Sequence, residues 1–124
     1  MNDNRPVNLD MTTIRLPLPA IVSILTRASG VFLFIGMAVL LYALDASLAS
    51  EASFNEVKQA LATPLVKLVI WAVVAGLIYH AAAGIKHLVA DLGVGETLEG
   101  GITGSRITLV VSIVFILLAG VWIW

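Results

Sequence analysis

Cysteine is absent from this chain of 124 residues, and charge is scarce. Without cysteine, the chain offers no disulfide, no thiolate nucleophile and no thiolate metal site. Charged residues make up 12% of the sequence, against about 25% in a typical soluble domain. That charge is too little to coat a soluble globule. The formal net charge of −1 shows no basic excess, so we expect no nucleic-acid partner.

Apolar residues dominate what remains, at 60% of the sequence with a mean hydropathy of +1.02. They form three long stretches, at about residues 20–48, 64–92 and 105–124. Each is close to or above the roughly 20 residues that cross a bilayer as a helix. Backbone groups in lipid must pair within the segment, which favours helices. The sequence therefore predicts an all-α membrane protein whose three transmembrane helices form one domain, residues 20–124, in contact with lipid.

Residues 1–19 are polar and of mixed charge. They have no apolar run behind a basic start, so we expect a retained cytoplasmic tail rather than a secretory signal. With three spans, five basic residues share the side of the N-terminus, against Lys58 and Lys67 on the other side. This bias predicts a cytoplasmic N-terminus and a C-terminus across the membrane. The five are Arg5, Arg15, Arg27, Lys86 and Arg106.

The connections between the spans also carry helix and loop signals. Pro64 suits the first turn of the second span. Ser53 and Glu56 have the spacing of a capping box, which predicts a short surface helix between the first two spans. The segment "GVGETLEGGITGS" is typical of a glycine-rich loop before the third span.

One face of the second span carries polar and small residues. His80, Gly84, His87 and Asp91 recur at i, i+4, i+7 and i+11 in "YHAAAGIKHLVAD", which places them on one helical face. In one interpretation His80 is an axial haem ligand and Gly84 leaves room for a bulky planar group. In the other, His80 is hydrogen-bonded across a helix contact and the glycines serve close packing.

The two histidines cannot both bind one iron. Seven residues separate His80 from His87 on the same face, a rise of about 10.5 Å. The chain contains no other histidine. A bis-histidine haem would therefore need a ligand from another chain. The i, i+4 spacing of His87 and Asp91 instead allows a local ion pair or hydrogen bond.

Ser23 and Arg27 also lie at i, i+4 spacing, near the start of the first span. Together they offer a hydroxyl and a guanidinium that can bind a carboxylate, a haem propionate or a quinone carbonyl. The alternative for Arg27 is that it reaches the lipid headgroups, which leaves Ser23 unexplained.

These stretches together resemble the cytochrome b556 membrane-anchor family of succinate dehydrogenase, the respiratory complex II. "RPVNLDMTTIRLPLPAIVSILTRASG" resembles its N-terminal signature through Arg5-Pro6, Ser23, Arg27, Ser29 and Gly30. "HAAAGIKHLVAD" resembles its second signature. The resemblance extends over nearly the whole chain.

The resemblance implies that His80 is one axial ligand of haem b, and that a sister anchor subunit supplies the other. It implies that Ser23 and Arg27 bind ubiquinone, and that Arg27 also lies near the haem propionates. Two positions depart from the family pattern. Thr26 stands where the family often has histidine, and Lys86 offers a point charge where it has arginine.

The resemblance also implies a role in the bacterial inner membrane, with the C-terminus periplasmic. The chain would be part of a heteromeric helix bundle that passes electrons from succinate to ubiquinone. Succinate oxidation would belong to a flavoprotein subunit and an iron–sulfur subunit, so we assign no catalytic residue here. The alternatives are a fumarate reductase anchor using menaquinol, and a small transporter or channel component with Arg27, His80 and Asp91 as its polar pathway.

Overall fold

Four helices make up the computed structural model, which describes residues 7, 9–10 and 12–124. They are α1 (Leu18–Ala49), α2 (Glu51–Leu61), α3 (Pro64–Asp91) and α4 (Leu98–Ile123). Helices α1, α3 and α4 are long and apolar enough to cross a membrane, and the described residues form no strand. The prediction of an all-α protein with three membrane spans is confirmed. Arg5 and Pro6 of the N-terminal signature lie outside the described residues.

The third membrane helix starts earlier than predicted. It begins at Leu98, seven residues before the predicted start at 105, so the glycine-rich loop was placed too far along the chain. Thr97 caps the helix by accepting a hydrogen bond from the Gly100 backbone N–H at 3.0 Å. A β-carbon on Gly100 would lie 2.7 Å from the Gly95 α-carbon. Position 100 therefore requires glycine, because the loop at Gly95 approaches the first turn of α4 too closely for a side chain.

The surface helix α2 is present, but its cap differs from the prediction. Ser50 is the N-cap and accepts a hydrogen bond from the Ser53 backbone N–H at 3.0 Å. The Ser53 hydroxyl instead donates back to the Ala46 carbonyl at the end of α1. The predicted Ser53–Glu56 capping box is therefore wrong. Pro64 does lie in the first turn of α3, after the N-cap Thr63.

Helix α3 packs against both α1 and α4, and glycines allow close approach at several of these contacts. Gly76 receives the Phe32 ring of α1, and Gly120 of α4 receives the Trp71 ring. The Trp71 indole N–H also donates to the Ile116 carbonyl at 2.8 Å. These contacts hold α3 between its two neighbours.

The beginning of α1, the end of α3 and the beginning of α4 meet at one end of the bundle. Pro19 lies against Gly101, and the Lys86 side chain lies against Gly104. This end brings together the two sequence regions that carry candidate functional residues.

At the chain's N-terminal side, Thr12 donates hydrogen bonds to Asp10, and these lower the pKa of that carboxyl.

Candidate functional site

The structure brings the two sequence signatures into direct contact at His80. Its Nδ1 lies 2.9 Å from the Ser29 hydroxyl of α1. The Ser29 hydroxyl also donates to the Thr26 carbonyl at 2.7 Å, one turn earlier in α1. One imidazole nitrogen is thus engaged by α1, and Nε2 forms no hydrogen bond within the part of the chain that the structure describes.

Gly30 allows α1 to approach the histidine ring. A β-carbon at Gly30 would lie 3.3 Å from His80 Cε1 and 3.9 Å from Nδ1. The ring therefore rests with its Nδ1–Cε1 edge against the α1 backbone. A larger residue at position 30 would push the ring away from Ser29.

The face of α3 beyond His80 is open. A β-carbon on Gly84, one turn after His80, would meet nothing within 4 Å. His87 and Asp91, further along, are exposed. No ion pair or hydrogen bond joins them among the described residues, so the pair that their spacing allows is not formed. The His80 imidazole borders this open face where α3 meets α1.

A second polar contact between α1 and α3 lies one residue before His80. The Tyr79 hydroxyl donates to the Val22 carbonyl at 2.7 Å. The Thr26 hydroxyl donates to the same carbonyl, also at 2.7 Å. Tyr79 was not predicted as a contact residue, although a phenol next to a histidine in an apolar span is a signal that both side chains find partners.

Ser23 and Arg27 each follow by one residue the two positions of α1, Val22 and Thr26, that meet Tyr79. Both are within the helix, so the predicted shared face is confirmed. Ser23 is half-buried and Arg27 is exposed. Neither side chain makes a hydrogen bond or ion pair within residues 12–124. Arg27 precedes Ser29 by two residues, about 3 Å along the helix axis, so it lies near the level of His80.

A groove between α3 and α4 is separate from these residues. It has a volume of about 760 Å³. Lys86 is among its lining residues, whereas Ser23, Arg27 and His80 are not. Among the described residues there is no group of three or more histidine, aspartate or glutamate side chains that could hold a metal ion.

Comparisons with known proteins agree on one family. Residues 1–119 match the model of the family described as succinate dehydrogenase/fumarate reductase transmembrane subunit. The chain is 42% identical to the succinate dehydrogenase cytochrome b556 subunit of Coxiella burnetii (strain RSA 493 / Nine Mile phase I), over the full length of both. It is 31% identical to the cytochrome b556 subunit of Paracoccus denitrificans, over 93% of this chain and 88% of the relative. It is also 31% identical to the mitochondrial cytochrome b560 subunit of Sus scrofa succinate dehydrogenase, over 91% of this chain and 68% of the relative.

Proposed function

The chain belongs to the family of succinate dehydrogenase and fumarate reductase transmembrane subunits, and from this we propose how its residues serve a complex II membrane anchor. His80 is one axial ligand of a haem b that the chain shares with a second anchor subunit. Ser23 and Arg27 form part of the site at which ubiquinone is reduced. The complex lies in the bacterial inner membrane, with the N-terminus of this chain cytoplasmic and its C-terminus periplasmic. A flavoprotein subunit and an iron–sulfur subunit complete it.

The contact between His80 and Ser29 is the observation that supports haem binding. It engages Nδ1 and leaves Nε2 for a metal, which is how histidine ligands are commonly held. The open space at Gly84 lies one turn away on the same face, where a planar group would need room. The residues present therefore fit a haem with one ligand from this chain. The relatives named cytochrome b556 are consistent with that fit.

Haem b, when bound, supplies a one-electron carrier inside the membrane. The residues of this chain orient and stabilise it. His80 donates its Nε2 lone pair. The exposed Arg27 guanidinium, at nearly the same level, supplies positive charge for a propionate and requires no proton transfer near neutral pH.

Ser23 and Arg27 support a quinone site because neither is committed to a partner within the described residues. A quinone carbonyl needs hydrogen-bond donors that stabilise the negative charge arriving with electrons. The Ser23 hydroxyl and the Arg27 guanidinium provide both a donor and fixed charge on one face of α1. Their position at the end of the bundle shared with α3 and α4 suits a site near the docked iron–sulfur subunit.

The decisive experiment compares two histidines of the same helix face. His80→Leu in the purified complex should abolish or grossly alter the low-spin haem b absorption, because the iron loses its ligand from this chain. His87→Leu is the matched control and should retain the haem, since His87 is exposed and lies about 10.5 Å further along the helix. A reduced-minus-oxidised spectrum measures both. An unchanged α band and haem stoichiometry in His80→Leu would refute the proposal.

The direction of the reaction is a second question, since the family description covers fumarate reductase as well as succinate dehydrogenase. The cited relatives carry the succinate dehydrogenase name, which favours succinate oxidation as the direction of the reaction. Turnover of the purified complex with a ubiquinone analogue and with a menaquinol analogue separates the two. Faster turnover with menaquinol and fumarate would assign the chain to the reverse reaction.

A further inference from the structure

We propose that Ser29 is a positioning residue that holds His80 in the tautomer with its proton on Nδ1, so that Nε2 alone is presented to the haem iron. The inference rests on the proposed role of His80 as an axial ligand. It concerns the hydrogen bond behind the ligand, which determines the orientation of the ring and how strongly it donates to iron.

The direction of the hydrogen bond follows from counting protons. The Ser29 hydroxyl has one proton to donate and lies 2.7 Å from the Thr26 carbonyl oxygen. Two oxygens at that distance without a proton between them would repel each other, so the proton lies on this line. The oxygen of Ser29 then has only lone pairs to offer His80. At 2.9 Å, the neutral imidazole must donate its Nδ1–H to Ser29.

The backbone of α1 reinforces this arrangement. Gly30 brings the helix to the Nδ1–Cε1 edge of the ring, where even a β-carbon would lie at 3.3 Å. A ring flip would place a carbon against the Ser29 oxygen and forfeit the hydrogen bond. Two adjacent residues of α1 thus position one ligand of α3, Ser29 by a hydrogen bond and Gly30 by absence of a side chain.

Removal of the Ser29 hydroxyl should weaken the bond between His80 and the haem iron and should hold the imidazole ring less firmly. Without Ser29 as acceptor, the Nδ1–H loses its partner inside an apolar contact, and the imidazole becomes a poorer electron donor. Loss of such a supporting hydrogen bond typically costs 10–100-fold in metal affinity, as an order of magnitude. A poorer donor stabilises ferric iron less, so the haem midpoint potential should rise.

Ser47 provides a matched control on the same helix. Its hydroxyl makes the same kind of bond, to the Leu44 carbonyl three residues earlier at 2.7 Å, and no hydrogen bond to a histidine. Ser29→Ala and Ser47→Ala therefore remove the same atom and the same local bond. Only Ser29→Ala removes the contact with His80.

The test uses the purified holo-complex with all subunits. With an excess of apomyoglobin as the haem acceptor, Ser29→Ala should retain its haem about 10–100-fold less strongly than wild type. Its haem potential should be higher and its ferric electron paramagnetic resonance spectrum shifted. Ser29→Thr keeps a hydroxyl and should restore the wild-type values, and Ser47→Ala should match wild type throughout.

The outcomes separate this inference from the proposed function. If Ser29→Ala leaves haem retention, potential and spectrum unchanged while His80→Leu loses the haem, Ser29 does not position the ligand and the haem assignment stands. Equal shifts in Ser47→Ala would show a general helix effect and would also overturn the inference. If His80→Leu keeps its haem, the proposed ligand itself is wrong. Should Ser29→Ala fail to assemble, Ser29→Cys, a weaker acceptor of similar size, must raise the potential for the inference to survive.

Discussion

At the scale of single residues, three hydroxyl side chains in the first half of α1 have different environments. The Thr26 proton goes to the Val22 carbonyl and the Ser29 proton goes to the Thr26 carbonyl. The Ser23 hydroxyl makes no hydrogen bond with the described residues. Ser23 is therefore the hydroxyl of the three that is available to a bound molecule. The Thr26 hydroxyl also lies 3.5 Å from the Tyr79 hydroxyl of α3.

Substitution of Ser23 or Arg27 tests the quinone site. Ser23→Ala removes a donor to an oxygen that gains negative charge, an interaction of roughly 1.5–3 kcal/mol. Quinone turnover should therefore fall about tenfold or more. Arg27→Leu should do the same, and the proposed role of Arg27 beside a haem propionate predicts a shift of the haem spectrum as well. The measurement is succinate:ubiquinone reductase activity.

The control for these variants is electron transfer to an artificial acceptor at the iron–sulfur subunit, which should stay near wild type. Thr26→Val is a matched control in α1, because the hydroxyl proton that it removes is already donated to the Val22 carbonyl within the helix. It should leave quinone turnover nearly intact. Wild-type quinone kinetics in both Ser23→Ala and Arg27→Leu would place the site elsewhere and leave Arg27 as a residue that reaches the headgroups.

At the scale of helices, packing in lipid depends on how closely two backbones approach, because lipid tails are as apolar as the side chains. The contact of α1 with α3 is built on this principle. Gly36 faces Val73, Gly76 faces Phe32 and Gly30 faces His80. Each contact fixes the position of one helix against the other. The contact of Gly30 with His80 is therefore part of the same interface as the packing contacts at Gly36 and Gly76.

Gly76→Ala should loosen this interface. The added β-carbon would lie 2.8 Å from the Phe32 ring, so the ring or the helix must move, at a cost typical of overpacking, about 1–3 kcal/mol. The expected result is a lower thermal midpoint of the complex in detergent. Phe32→Leu in the same chain shortens the clashing side chain and should recover part of the loss. A midpoint unchanged by Gly76→Ala would show that the two helices are not in close contact there.

At the scale of the whole molecule, few side chains are buried within the chain. Large apolar residues such as Phe34 and Trp122 are more than four-fifths exposed, and the spans bury at most 11% of their most apolar windows. Such surfaces face lipid or other helices. They agree with a subunit that completes its packing inside a larger assembly.

The isolated chain should fail to form a stable bis-histidine haem. It contains two histidines, and both lie on α3. Within the described residues, Ser29 forms a hydrogen bond with His80 and not with His87. Expression of this chain without partner subunits, followed by electron paramagnetic resonance of the reconstituted haem, tests this. A six-coordinate low-spin bis-histidine signal from the chain alone would indicate that two copies each supply His80, and would contradict a sister subunit as the second donor.

Hydropathy alone determined the fold class, because a run of about 20 apolar residues in lipid must be helical. The spans and the shared faces of Ser23 with Arg27 and of His80 with Gly84 follow from length and helical period. The start of α4 did not follow from them, since a glycine-rich segment is typical of a loop, and the close contact of Gly100 with Gly95 is visible only in the structure.

Only the tertiary structure shows that the His80 Nδ1 is hydrogen-bonded across the contact between α1 and α3, whereas haem binding through Nε2 stays a prediction. The hydrogen bond to Ser29 spans 51 residues of sequence, and no periodicity links residues on different helices. The commitment of Thr26 to Val22 and Tyr79, and the freedom of the Ser23 hydroxyl, likewise depend on which flank of α1 meets α3. The helical period determines which residues share a face, whereas only packing determines what that face contacts.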